Sequence, residues 1–321
     1  MKSPKTSLDN QVYHIPVLLN ECLENLNLKK DGIYVDATLG GGGHSYHILN
    51  QLSDSGHLYC FDQDIEAIKE CEIRFKDINK NKFDIIHSNF RYMKVALNDL
   101  GIKQVDGILF DLGVSSHQLD TQDRGFSYNY DARLDMRMDQ RNEFSAWDVV
   151  NNYSETNLVK IFYDYGEEKY ARSIARKIVD ERKKKPIDTT FELVEIIKSS
   201  IPNKYKMEKG HPAKRVFQAI RIEVNQELTI LKDSLENALE LLKPGGRLCV
   251  ITFHSLEDKI VKSLFKEKTT PPSWNRNLPI SLDEVKLDYR LISKKAIVSN
   301  TLELENNNRA HSAKLRVIER L

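Results

Sequence analysis

The sequence predicts an α/β protein: a doubly wound, largely parallel sheet of seven strands carrying a helical insertion. Three observations carry that expectation. Short apolar runs alternate with helix-like segments from Ile33 to Asp111, and the alternation resumes near the C-terminus. A glycine-rich turn, Asp36-Ala-Thr-Leu-Gly-Gly-Gly-Gly-His44, follows the first apolar run and opens a helix-like segment. Between Asp120 and Pro212 no convincing strand pattern is found, and only helical spacing remains.

In chain order, Pro16 to Leu26 has helical apolar spacing with proline at an allowed first-turn position. After the turn at Asp31-Gly32 come strand Ile33–Thr38 and helix Ser45–Leu52, then strand His57–Phe61 and helix Ile65–Phe75. Strand Phe83–His87 precedes helix Tyr92–Leu100, which Gly101 stops, and strand Val105–Phe110 ends in Asp111. Such βα repetition implies parallel strands joined by right-handed crossovers. The insertion offers helices at Leu158–Tyr165, Ala171–Arg182 and Phe191–Ile201, punctuated by Pro186 and Pro202. Phe217, Ile220, Val224, Leu228, Leu231, Leu235, Leu239 and Leu242 then form the stripe of one long amphipathic helix, stopped at Lys243-Pro-Gly-Gly246. Strand Arg247–Phe253 ends at His254, helix Leu256–Phe265 follows, and Leu291–Val298 and Ala313–Arg320 close the sheet as an antiparallel hairpin. The expected division is a first sheet segment at 1–119, the insertion at 120–212 and a second sheet segment at 213–321.

The chain of 321 residues suits about two domains of roughly 150 residues each. Its 40% hydrophobic and 30% charged residues are those of an ordinary soluble protein. No apolar run approaches the roughly 18 residues that span a membrane. Met1 to Tyr13 is polar, without the apolar stretch of a secretory signal. Cys22, Cys60, Cys71 and Cys249 form no C-x-x-C pair, so a reduced cytoplasmic protein is expected. A net charge of +1 does not by itself announce a nucleic-acid partner. Basic clusters do occur at 181–185, at 204–221 (Lys204, Lys206, Lys209, Lys214, Arg215, Arg221) and at 309–320. Each reads as a solvated face or as a set of phosphate contacts.

A strand that turns on glycines into a helix leaves backbone N–H groups free for an anionic or polar ligand group. The turn does not fit G-x-G-x-x-G: counted from Gly40 its last position is Ser45, and from Gly41 it is Tyr46. No G-K-[ST] follows, which excludes a phosphate-binding loop. Asp62 ends the second strand roughly twenty residues on, where a doubly wound fold places an acid that holds ribose hydroxyls. A ribose acid without a pyrophosphate signature points to a nucleoside cofactor lacking a diphosphate, S-adenosylmethionine. The strand ends then gather Gly40–His44, Asp62, Ser88-Asn89-Phe90, Asp111–Ser116 and His254-Ser255. N–H groups around Gly42–His44 are expected to hold the methionine carboxylate and Asp62 the ribose. Phe90 would pack on the adenine, and Asp111 would accept from the methionine amine or sit beside the reacting base. His44 and His47 share a helical face, but spacing suggests no third ligand, so no metal is expected. Ser115, Ser116 and His254 make no G-x-S-x-G elbow. The Asp135/Arg137 and Asp139/Arg141 alternation reads as an ion-pair ladder or as a groove.

Several long motifs lie in fixed order: His14-Ile-Pro-Val-Leu-Leu, the glycine turn, Phe110-Asp-Leu-Gly-Val-Ser-Ser116, Gln118-Leu-Asp120, Arg124-Gly-Phe-Ser127 and Leu134-Asp-Met-Arg-Met-Asp139. They continue with Phe217-Gln-Ala-Ile-Arg-Ile-Glu-Val-Asn225, Phe253-His-Ser-Leu-Glu-Asp258 and Ser312-Ala-Lys-Leu-Arg316. In these the chain resembles the bacterial small-subunit ribosomal RNA cytosine-N4 methyltransferases, the RsmH (formerly MraW) family, from about His14 to Arg320. The resemblance implies a class I, Rossmann-like methyltransferase fold. It implies S-adenosylmethionine as donor and a decoding-centre cytosine of 16S rRNA, in the small ribosomal subunit, as acceptor. It places cofactor contacts at Gly42, Gly43, His44, Asp62, Phe90, Asp111 and Gln118, the last unsuggested by the strand-end reading. Transfer to N4 is expected to be direct. Asp111 is the first candidate to accept from the amine, followed by Asn225 and His254. Arg124, Arg133 and Arg137 are candidate phosphate contacts. A non-catalytic RNA-binding or assembly factor on the same fold is the alternative. A nicotinamide-dependent oxidoreductase shares the sheet but lacks its glycine fingerprint. Oligomeric state is left open, a dimer included.

Overall fold

The computed structural model describes residues 16–202, 210–271 and 286–321. His14 and Ile15 of the first motif, the polar start at 1–13, and Lys204, Lys206 and Lys209 of the basic cluster lie outside the described residues. Seven strands form one sheet: β1 Ile33–Asp36, β2 His57–Asp62, β3 Phe83–His87, β4 Val105–Asp111, β5 Leu242–Thr252, β6 Tyr289–Leu291 and β7 Lys314–Arg320. Their order is β3-β2-β1-β4-β5-β7-β6. The first five pair in parallel, and β7 runs antiparallel to both β5 and β6. This is the doubly wound arrangement with a closing antiparallel hairpin that the sequence predicts.

Helices α1 Leu19–Leu26, α2 Gly43–Gln51 and α3 Ile65–Arg74 cover one face of the sheet, and α4 Met93–Asp99 lies on the other. Both faces being covered, β4 is apolar and buried along its length until Asp111. Phe110 is fully buried, worth about 1.5–3 kcal/mol of apolar transfer. All four cysteines are buried free thiols in the core beneath α1–α3.

After the short helix α5 Ser116–Asp120 comes the insertion, with α6 Ala146–Asn152, α7 Glu155–Asp164, α8 Ala171–Arg182 and α9 Thr190–Ser200 around their own apolar cluster. Capping boxes at Ser145/Asp148 and Thr189/Glu192 start α6 and α9. An isolated bridge, Arg133 to Thr189, ties its beginning to its end.

The expected single helix from Phe217 to Leu242 is two helices, α10 Lys214–Asn225 and α11 Glu227–Leu241. Gln226 between them is left-handed, at φ 53°. The apolar stripe is continuous in sequence but serves two cores. Val216, Phe217, Ile220 and Val224 join the insertion's cluster, whereas Leu231, Leu235, Ala238 and Leu239 join that of the sheet. The helix axis must turn to satisfy both. Arg221 closes the break by pairing with Glu227, both hydrogen bonds at 2.8 Å.

Smaller differences follow from local geometry. β1 stops at Asp36, and α2 already begins at Gly43. Residues 243–246 form the irregular start of β5 as well as ending α11, with a register shift opposite Val105 and Gly107. The penultimate strand is Tyr289–Leu291 instead of Leu291–Val298. Ser293 to Lys295 turn out of the ladder, and only Ile297 rejoins it, bridging Leu315. Helix α12 Ser255–Lys268 packs beside α11 under the sheet. Helix α13, Thr301–Asn306, precedes β7. Among the described residues no helix is long and apolar enough to cross a membrane.

Candidate active site

Parallel register aligns the strand ends: Asp36 faces Cys60 and Leu109, Asp62 faces His87, and Asp111 faces Ile251. Above that edge lies a cleft of about 900 Å³, walled on one side by Lys214, Gln218, Arg221 and Asn225 of α10. Their helical spacing gives α10 one polar face toward the cleft, opposite its apolar face in the insertion core.

The glycine turn seats α2. Gly42 is at φ 70°, and a Cβ there would lie 2.7 Å from Cys71 Sγ and 2.8 Å from Phe75 Cζ. At Gly43 a Cβ would lie 2.3 Å from Pro16 Cγ. Both glycines are therefore required by packing against α3 and the N-terminal segment. Gly43 and His44 line the cleft, with Gly40 and Gly41, while Gly42 does not. No side chain caps α2, so the N–H groups of its first turn are left for a ligand. Asp62 accepts from the N–H of Gly40 (2.7 Å) and of Asp64 (2.8 Å), which joins the glycine turn to the second strand end. A carboxylate has about four acceptor sites, so further donors can still be taken.

Asp111 has the most unusual surroundings. Its N–H donates to Thr38 Oγ1 at 2.6 Å. Its Oδ1 is buried without a hydrogen-bond partner, and Oδ2 lies 3.5 Å from His44 Nδ1. His44 Nε2 is 3.0 Å from the Val17 carbonyl, so that nitrogen carries the proton. Burial holds the ring down to about 4, so it is neutral and Nδ1 presents a lone pair. Two lone pairs face each other unless the carboxyl is protonated. Burial, reinforced by Asp36 and Glu257, pushes Asp111 up to about 8, in agreement. Burial likewise raises Asp36 and Asp62, each to about 6, against hydrogen bonds that favour their ionised forms. Among the described residues no lysine or arginine forms an ion pair with any of the three. An uncapped helix start, an orphaned carboxyl oxygen and acids without cations fit a ligand that brings both a carboxylate and positive charge. S-adenosylmethionine has that charge pattern.

The structure sorts the remaining candidates. Phe90 is half-buried at the cleft wall, edge-on to Phe110 at 5.4 Å. Gln118 also lines the cleft, but its amide is engaged: Nε2 donates to Asp64 Oδ2 at 2.8 Å and Oε1 accepts from the Ser115 N–H. His47 is exposed while His44 is buried, so the two do not converge. Asn225 lines the cleft with every amide group committed. Oδ1 accepts from the Met138 N–H (2.8 Å), and Nδ2 donates to the carbonyls of Met136 and Arg221. It holds the insertion's loop, with one of the two Oδ1 lone pairs in use. His254 Nδ1 accepts from the Glu257 N–H as the N-cap of α12, so it is not a free base. Glu227, His254 and Glu257 bring ligand-type atoms within 4.8 Å of one another. However, Arg221 occupies Glu227, and Glu257 Oε2 accepts from the N–H groups of Phe253 and His254.

Of the three arginines expected on phosphate, Arg124 is only 3% exposed and cannot reach one. It forks onto Asp64, contacts Glu66, and donates to the Arg137 carbonyl. Arg137 is paired with Asp135, and Arg141 with Asp139, which makes that alternation an ion-pair ladder. Arg133 alone of the three is exposed without an ion pair among the described residues. The 181–185 cluster is largely self-neutralised, through Lys183–Asp180, Lys184–Glu181 and Lys185–Glu192.

Sequence reasoning missed Asp36, Asp64 and Glu257. Asp36 opens the glycine motif at a strand end, so position alone could have drawn attention to it. Asp64 caps α3 two residues after Asp62. Glu257 lies in the Phe253–Asp258 motif, but its role depends on being folded back over the N-terminus of α12.

Strand order and cleft chemistry together define a class I S-adenosylmethionine-dependent methyltransferase. The sequence profile described as the MraW methylase family matches residues 11–321, and the chain belongs to that family. Solved structures resemble it more distantly. A candidate rRNA methylase from Clostridium thermocellum is 12% identical with a TM-score of 0.46, over 96% of this chain and 100% of that one. An rRNA methylase from Streptococcus thermophilus is 11% identical with a TM-score of 0.41, over 94% and 93%. A candidate methyltransferase from Streptococcus mutans in complex with SAH is 12% identical with a TM-score of 0.43, over 96% and 100%.

Proposed function

We propose that this protein transfers a methyl group from S-adenosylmethionine to N4 of a decoding-centre cytosine in the 16S rRNA of the small ribosomal subunit, in the cytoplasm. The observation that carries this reading is Asp111, a carboxyl with an unpartnered oxygen at the end of β4 in the cleft lining. Asp62 would accept from the ribose hydroxyls, Phe90 would pack on the adenine, and the first turn of α2 would hold the methionine carboxylate. When bound, the donor supplies a methyl group already activated on a positively charged sulfur. Positive charge near Asp111 favours its ionised form. The carboxylate then accepts a hydrogen bond from the exocyclic N4 amine, whose lone pair is otherwise delocalised into the ring, and takes up the proton lost on methylation. Catalysis rests on placement and on exclusion of water. The base must leave its stack to reach the cleft, and the insertion would hold the flanking RNA, with Arg133 offering a cation without an ion pair among the described residues.

The test is mass mapping of ribosomal RNA from cells lacking the protein. Loss of one methyl group from a decoding-centre cytosine, restored by the wild-type gene and not by Asp111→Ala, is the expected result. Unchanged 16S modification would refute the assignment.

A further inference from the structure

The strand order divides the cleft. The donor-side residues lie at the ends of β3, β2 and β1: Phe90 just after β3, Asp62 ending β2, and Gly43 opening the helix that follows β1. Asp111 ends β4, and the next strand, β5, leads into Phe253 and His254. Strands lie about 4.8 Å apart, so β5 carries His254 to the far side of Asp111 from the ribose acid. There the opposite wall is α10 of the insertion. This is the acceptor side of the cleft.

His254 is locked in one tautomer. Nδ1 accepts from the Glu257 N–H at 3.4 Å as the N-cap of α12, so that nitrogen bears a lone pair and Nε2 carries the hydrogen. Nε2 is buried and makes no hydrogen bond. Glu257 Oε1 lies 3.1 Å away but off the N–H direction, with Glu257 Oε2 held by the N–H groups of Phe253 and His254. The ring is 11% exposed and lines the cleft. His254 lines the cleft, and its Nε2–H is a buried donor with no hydrogen-bond partner among the described residues, the kind of group that calls for an explanation.

We infer that His254 reads the base, its Nε2–H donating to cytosine N3 while Asp111 accepts from N4. Asp111 ends β4 and His254 follows the end of the adjacent strand β5, so the two offer an acceptor and a donor from neighbouring strand ends. Cytosine shows the complement, an amine at N4 and a lone pair at N3. Uracil shows a carbonyl at C4 and an N–H at N3, and so mismatches both. His254 is thus a specificity residue, selecting the pyrimidine that has an amine to methylate. This rests on the proposed cytosine-N4 reading and adds the device that enforces it.

The test is a double perturbation on small subunits reconstituted with 3-deazacytidine at the methylated position, which replaces the N3 lone pair with C–H. The variant is His254→Ser, which keeps an N-cap for α12 while removing Nε2, with His254→Asn as a second cap-retaining variant. Far-UV melting of each confirms an intact fold. Wild type should lose about 10-fold or more in kcat/KM on the 3-deaza substrate. His254→Ser should lose a similar factor on the natural substrate and little more on the 3-deaza one. Any change in intrinsic N4 reactivity cancels in the cycle. Equal 3-deaza penalties in wild type and variants, with normal N4 methylation by wild type, would overturn the role of His254 alone. Failure of wild type to methylate N4 of the natural substrate would overturn both the function and this inference.

Discussion

The two walls of the cleft handle charge in opposite ways. On the sheet edge Asp36, Asp62 and Asp111 are raised by burial and have no basic ion partner among the described residues. Toward the insertion, acids are matched with arginines: Asp64 with Arg124, Asp135 with Arg137, Glu227 with Arg221. A paired buried charge fixes geometry and leaves nothing to bind with. An unpaired one costs stability until a ligand supplies the missing charge. The sheet edge is thus the part of the molecule prepared for a cationic ligand, while the insertion's charges hold its shape.

Breaking a match on the paired side should have the largest effect. Arg124→Met leaves Asp64, only 1% exposed, without its fork, and a loss of about 3–5 kcal/mol in unfolding free energy is expected from denaturant titration. Arg141→Ala, at an exposed pair, should cost under about 1 kcal/mol in the same assay. If the two cost the same, the contrast between buried and surface pairs fails. On the unpaired side Asp111→Ala should lower kcat by about 10²–10³-fold. Asp111→Asn, which keeps an acceptor oxygen but no charge, should fall between. Wild-type turnover in Asp111→Ala would remove the residue from the chemistry.

Stability against pH sharpens the same comparison. Three acids with folded values above their unfolded ones bind more protons in the native state. Their contribution is present in full below about pH 4 and is lost as pH rises through about 6 for Asp36 and Asp62 and about 8 for Asp111. Without ligand, Asp111→Asn should match wild type near pH 4. Near pH 8 it should melt a few degrees higher, about 1–2 kcal/mol, a figure reduced because 27% of the side chain still faces the cleft. The opposite trend would mean that Asp111 is ionised in the free protein. The smallest effect is at the helix break: Gln226→Gly should stabilise by about 0.5–1 kcal/mol, because glycine holds φ 53° without strain. A loss would show that the Gln226 side chain matters more than its backbone.

What the sequence could and could not reveal follows the same divide. Buried parallel strands are apolar throughout, so β1 to β4, and the acids Asp62 and Asp111 that end β2 and β4, were legible from pattern alone. The matched charges were not. Arg124 reads as an exposed cation in a polar stretch, and its burial depends on Asp64, 60 residues away. Asn225 reads as a candidate catalytic amide, and nothing in the sequence signals its bond to Met138, 87 residues away. The turn at Gln226 was hidden because one unbroken stripe serves two cores. Residues whose partners are distant in sequence are the ones whose roles periodicity cannot assign.

The most direct measurement is calorimetry of S-adenosylmethionine binding at pH 7 in buffers of differing ionisation enthalpy. Binding accompanied by release of nearly one proton, abolished in Asp111→Asn, is the expected result. No binding by the folded protein, or binding with no proton released, would contradict the view that a cationic donor displaces the proton Asp111 holds beside His44.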